Sequence, residues 1–154
     1  MDKQECKQIV ELLSVTWDMA LDNATLTLRV KGYWEYIQDL PYEATKQTIK
    51  RLGMASQRWA PKPGMLRIQT LSDMSGEALP PEPEEAWTIL QAIGQKIYSG
   101  VYNWQKPHPV VSDTIKRLGN NAVGLVTNSD RAMFMELYSK TREAYILEKY
   151  GTAR

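Results

Sequence analysis

Ala24-Thr25-Leu26-Thr27-Leu28-Arg29-Val30-Lys31-Gly32-Tyr33-Trp34-Glu35-Tyr36-Ile37 is the stretch on which the fold class turns. In its first half Leu26, Leu28 and Val30 alternate with Thr25, Thr27 and Arg29, as in a half-buried strand. Over its whole length, however, Leu26, Val30, Tyr33, Trp34 and Ile37 recur at steps of four, three, one and three. Those steps line one face of a helix and continue beyond an ordinary strand. The spacing therefore predicts a helix over 24–39 and, with the helical patterns on either side, an all-α chain.

Upstream, Ile9, Leu12, Leu13, Thr16 and Trp17 follow Asp2 at helical spacing, which predicts an amphipathic helix over 3–17 capped by Asp2. Downstream, Asp39-Leu40-Pro41 is a start signal, with an acid to cap and proline favoured at the first turn. The helix that follows buries Tyr42, Thr45, Ile49 and Leu52 and turns Lys46, Lys50 and Arg51 to water, with Gly53 a point of fraying or termination. Residues 59–64 cannot be helical, because Pro61 and Pro63 each remove a donor and push the preceding residue toward extended geometry. A fourth helix is expected from Pro63 or Gly64 to about Leu71, burying Leu66 or Met65 together with Ile68 or Leu71.

The run from Asp73 to Pro83, rich in proline, serine and acid, reads as a linker. It divides the chain into a small helical bundle (1–72), a Pro/Glu-rich linker (73–83) and a second small helical module (84–154) able to dock independently. In that module Trp87, Leu90, Ile93 and Ile97 mark a helix opened by Pro83-Glu84-Glu85, whose acids suit the positive end of the helix dipole. Pro107-His108-Pro109 introduces another, with Val111, Ile115 and Leu118 apolar and Gly119-Asn120-Asn121 expected to close it with a left-handed cap. A last helix begins near Ser129-Asp130 and carries Met133 or Phe134, Leu137, Tyr138, Tyr145 and Ile146 or Leu147 to about Tyr150.

Composition narrows the function classes. At 154 residues and 43% hydrophobic the chain can bury a real core. A formal net charge of +1 gives no bulk grip on nucleic acid. The single cysteine, Cys6, excludes an internal disulfide and fits a reducing cytoplasm. No apolar run approaches the roughly 20 residues that cross a bilayer, and Met1-Asp2-Lys3-Gln4-Glu5 lacks the order of a signal peptide, so a cytoplasmic protein with no membrane partner is expected.

Chemistry-bearing constellations are scarce. His108 is the lone histidine, so no ligand set for a metal is expected, and its place before a helix favours capping or packing over a partner contact. Gly119 and Gly124 have the spacing of a phosphate loop, but Leu125 and Val126 stand where lysine and a hydroxyl residue would hold phosphate and magnesium. No nucleotide, no cofactor and no catalytic residue are therefore expected, and the function is read as binding.

One feature stands out against that background. Between Ala44 and Ser72 lie six cations, Lys46, Lys50, Arg51, Arg58, Lys62 and Arg67, and no carboxylate. With Trp59 they are the candidate partner-binding residues, since tryptophan and arginine dominate interface energetics and a proline-stiffened segment loses little entropy on docking. The plainer reading is a solvated helix face with a structural Trp-Pro corner that seals the bundle. Trp59 could also stack a base while Arg58 and Lys62 hold phosphates, though a single aromatic supports this weakly.

Read together, Gly32 through Ala44, then Trp59, Pro61, Pro63, Leu66 and Ile68, resemble the phage replicative helicase loader/inhibitor family over residues 3–72. The resemblance implies an all-helical, ATP-independent protein of a phage-infected or lysogenic bacterial cytoplasm. Such a protein binds a DnaB-type replicative helicase and regulates or assists its loading, often with an origin-binding protein, with any DNA contact weak or indirect. The second half is similar to a helical module of phage and prophage proteins at Ala86-Trp87, His108-Pro109, Leu118-Gly119, Arg131, Phe134 and Tyr138. The alternatives are a DNA-binding regulator whose helix after the Trp-Pro corner enters a groove, and a phage structural or assembly protein.

Overall fold

Asp2 opens the first helix by reciprocal capping: its Oδ1 accepts from the Glu5 amide at 2.8 Å and Glu5 Oε2 accepts from the Asp2 amide at 2.7 Å. A computed structural model describes residues 1–55, 57–100, 106–119, 124 and 127–151. Among them the secondary structure is helical, as the periodicities require, with seven helices and no strand. They are α1 (Lys3–Thr16), α2 (Asn23–Ile37), α3 (Tyr42–Met54), α4 (Pro63–Ser75), α5 (Pro83–Tyr98), α6 (Pro109–Leu118) and α7 (Asn128–Tyr150). The chain divides into two compact units, Met1–Leu79 and Pro80–Lys149, with Tyr150 grouped with the first.

The segment that decides the fold class is α2. Asp22 caps it, accepting from the Thr25 amide at 2.7 Å, and Tyr33 and Ile37 are buried while Leu28 is 71% exposed. A strand would have set Leu28 beside Leu26 and Val30 on one face; the helix puts Leu28 in water and keeps the other two half-buried against the core.

In the first unit α1, α3 and α4 run in the same direction and α2 runs against them. The early ends meet where the Met1 ammonium donates to the carbonyls of Gln38 and Leu40, just ahead of α3, and where Arg67 of α4 reaches Asp39. The late ends meet where Thr48 and Arg51 of α3 bond Asp73 of α4 and where Gly53 of α3 lies against Thr16 of α1. Cys6, Ile9, Val10, Leu13, Tyr33, Ile37, Leu40, Ile49 and Leu66 fill the centre. Because α3 and α4 point the same way, residues 57–62 return along the bundle as a strap.

Several local expectations are corrected. Asp39 does not cap α3, whose N-cap is Pro41 without a side-chain bond; Asp39 is taken by Arg67. Gly53 is the last residue but one of α3, which ends at Met54 as expected, and it has a second role: a Cβ there would lie 2.6 Å from Thr16 Cγ2, so glycine permits the close approach of α1. Met65 is exposed and Leu66 buried on α4, with Ile68 and Leu71 half-buried. That helix runs on to Ser75, through the first residues of the expected linker, and ends at Gly76 in the left-handed conformation (φ 67°).

In the second unit Ala86, Trp87 and Leu90 of α5 pack with Val110 and Val111 of α6 and Phe134 and Tyr138 of α7. The Phe134 ring lies 5.5 Å from Trp87 and 5.6 Å from Tyr138. His108 caps α6, its Nδ1 accepting from the Val110 amide at 3.2 Å. Gly119 is the C-cap of α6 and takes the positive φ (81°) that the expected left-handed cap calls for, though its ψ of −173° lies outside the αL well; Asn120 and Asn121 lie outside the described residues. Thr127 and Asp130 bond each other's amides at the start of α7. Tyr138 donates to the Pro81 carbonyl at 2.7 Å and Arg142 pairs with Glu82, so the last residues of the expected linker are fastened onto this unit.

Candidate functional site

The strap is held at successive points. Trp17 Nε1 donates to the Gln57 carbonyl at 2.8 Å, Gln57 Nε2 donates to the Trp59 carbonyl at 2.8 Å, and the buried Tyr33 hydroxyl donates to the Pro61 carbonyl at 2.6 Å. Burial raises the Tyr33 hydroxyl pKa, so the group that donates here is a neutral phenol. Pro61 is buried and Pro63 starts α4, so the backbone around Trp59 is fixed from both sides while its indole stays 71% exposed. The Arg58 guanidinium lies 5.1 Å from the centre of that indole. Trp59 therefore does not seal the bundle.

The seven residues singled out by sequence do not form one face. Arg67 is 7% exposed and grips Asp39 with both arms, at 2.6 and 2.9 Å, while donating to the Tyr36 carbonyl at 2.9 Å; it is a structural residue, and its assignment to a partner surface is corrected. Arg51 is exposed but committed, bonding Asp73 at 3.0 Å and Gln69 at 2.8 Å. Lys46 reaches Glu43 at 3.4 Å and lies over the Tyr42 ring at 5.3 Å. Their partners, Asp39, Glu43 and Asp73, lie just outside the acid-free stretch and fold back onto it. Among the described residues only Lys50, Arg58 and Lys62 of the six cations have no carboxylate partner.

Two open cavities border these residues. The larger, about 1190 Å³, lies at the late ends of α3 and α4 and is lined by Lys50, Arg51, Met54, Asp73 and Met74 among others. The smaller, about 680 Å³, is lined by residues 57–65 together with Tyr36 of α2, and so contains Arg58, Trp59 and Lys62. Tyr36, 44% exposed, was not singled out by sequence reasoning. Its neighbour Tyr33 carries the same residue type into the core, and only the helical phase separates the two.

The phosphate-loop-like stretch lies mostly outside the described residues. Among the described residues there is no group of three or more metal-ligating side chains, and no helix is long and apolar enough to cross a membrane. In the second unit Glu82 and Glu84 are ion-paired with Arg142 and Arg131, so that acidic cluster is used in packing. No protein-family model matches the chain, and no curated protein or solved structure is found similar to it.

Proposed function

We propose that the chain is a non-enzymatic accessory protein of phage DNA replication whose first unit docks on a DnaB-type replicative helicase and regulates or assists its loading. One observation carries the docking part: Arg58, Trp59 and Lys62 stand exposed, and among the described residues without carboxylate partners, on a strap whose backbone is already fixed. A backbone fixed before binding loses little entropy on it, and an exposed Trp-Arg pair has the composition of an interface anchor. The helicase as partner comes from the resemblance of residues 32–68 to the loader/inhibitor family. A duplex-reading role for α4 is less well supported, because its one cation, Arg67, is buried against Asp39.

The purified full chain should co-migrate with the cognate helicase hexamer on size exclusion and change its loading or ATPase rate. A chain that does neither is not a helicase accessory protein.

A further inference from the structure

The 680 Å³ cavity beside Trp59 has a chemistry of its own. Trp59, Tyr36 and Met65 are 71%, 44% and 40% exposed and all line it, so apolar surface stands uncovered around a concave site. A volume of that size falls in the range, about 300–1,000 Å³, of sites that take a ligand rather than a single water. Its only charged lining residues are Arg58 and Lys62, and among the described residues neither has a carboxylate partner.

The backbone of the site limits how an occupant can be held. Pro61 and Pro63 have no amide hydrogen, and the Pro61 carbonyl is taken by Tyr33, so an added strand would find few partners there. Recognition by side chains is therefore favoured over strand addition. Two cations and a net charge of +1 also give nucleic acid little counterion release to drive binding. One bulky apolar group with acids beside it uses everything the site offers.

We propose that this cavity receives an acidic peptide segment of the partner, a large apolar side chain seated against Trp59 and Tyr36 and flanking carboxylates paired with Arg58 and Lys62. This rests on the docking reading above and adds the chemistry of what is docked. Gly64 supplies the means of blocking it: a Cβ there would touch the Tyr36 ring at 3.7 Å, ordinary contact distance, so a longer side chain at 64 fits the fold and enters the cavity along that ring.

The test uses the full chain and three probes: a peptide with a central leucine among aspartates and glutamates, its counterpart with lysines for the acids, and a mixed-sequence single-stranded oligonucleotide. The Trp59 indole N–H resonance, identified with Trp59→Phe, reports binding. The acidic peptide should bind about tenfold or more tightly than the basic one, and Gly64→Gln or the pair Arg58→Glu and Lys62→Glu should weaken it by about tenfold or more with unchanged melting. Equal binding of both peptides, tighter binding of the oligonucleotide, or indifference to Gly64→Gln would overturn the proposal. Helicase that still co-migrates with folded Gly64→Gln protein would remove the cavity and keep the helicase. Binding of the acidic peptide by a chain that ignores the helicase would do the reverse.

Discussion

Arg67 and Asp39 meet face to face, the guanidinium of one donating from two nitrogens to both carboxylate oxygens of the other at 2.6 and 2.9 Å. The arginine is buried and the aspartate side chain is 59% exposed, so the pair is a charge drawn inward from the surface and held by its partner. It joins α4 to the turn between α2 and α3.

The Arg67 bonds hold the Asp39 carboxyl below its ordinary pKa. A depressed folded-state value means stability that is full above the unfolded pKa and lost as pH falls through the folded one. The contribution of this pair should therefore begin to fade as pH falls into the usual carboxylate range and be lost at the lower folded value. Asp39→Asn should flatten that acid limb and cost about 1–2 kcal/mol at neutral pH, a charged hydrogen bond discounted for the exposure of Asp39. Urea unfolding as a function of pH measures both.

Trp59→Ala should leave stability within about 0.5 kcal/mol of the parent, since the indole is mostly in water. If the strap is the docking site, affinity for the helicase should fall by about 30-fold, the loss of one anchor of about 2 kcal/mol. Calorimetric titration beside a thermal melt separates the two effects. A large drop in melting temperature with unchanged affinity would return Trp59 to a structural role.

Gly53→Ala should destabilise the protein despite its better helix propensity. The new methyl would meet Thr16 Cγ2 at 2.6 Å, and threonine is too short and stiff to move aside. Overpacking costs typically about 1–3 kcal/mol against about 1 kcal/mol gained by removing a helical glycine. Thr16→Ser removes that methyl and keeps the hydroxyl that bonds the Leu12 carbonyl, so the double variant should recover the loss in a melting experiment.

Tyr138 gives an alkaline counterpart. Burial pushes its hydroxyl up to about 12, while the unfolded chain ionises near 10. A raised folded-state value means stability present below the unfolded pKa and lost as pH rises between the two. The second unit should weaken over that interval, and Tyr138→Phe should remove this dependence while losing the bond to Pro81, about 1 kcal/mol near neutrality. Near-ultraviolet circular dichroism against pH would show it.

Helix positions were legible in the sequence because burial on one face imposes a spacing that any reader can count, as Leu26, Val30, Tyr33 and Ile37 show for α2. The last turn of α4 was not legible. Ser72, Asp73, Met74 and Ser75 carry no apolar period, and what holds them is Asp73 bonded to Thr48 and Arg51 on another helix. The cationic stretch failed for a related reason. Absence of acids along the chain says nothing of acids that fold onto it, and Asp39, Glu43 and Asp73 claim half of the cations. Of the expected site, Arg58, Trp59 and Lys62 are exposed, and among the described residues neither cation has a carboxylate partner.

The parallel course of α3 and α4 makes the connection between them a tether. The 13 residues of α3 extend about 20 Å, and the eight residues 55–62 can reach only about 26–29 Å when fully drawn out. There is little slack. A partner pulling on Trp59 would load both helices at once, and removing three residues from the tether would cut its reach to about 17–18 Å, too short for the fold to close.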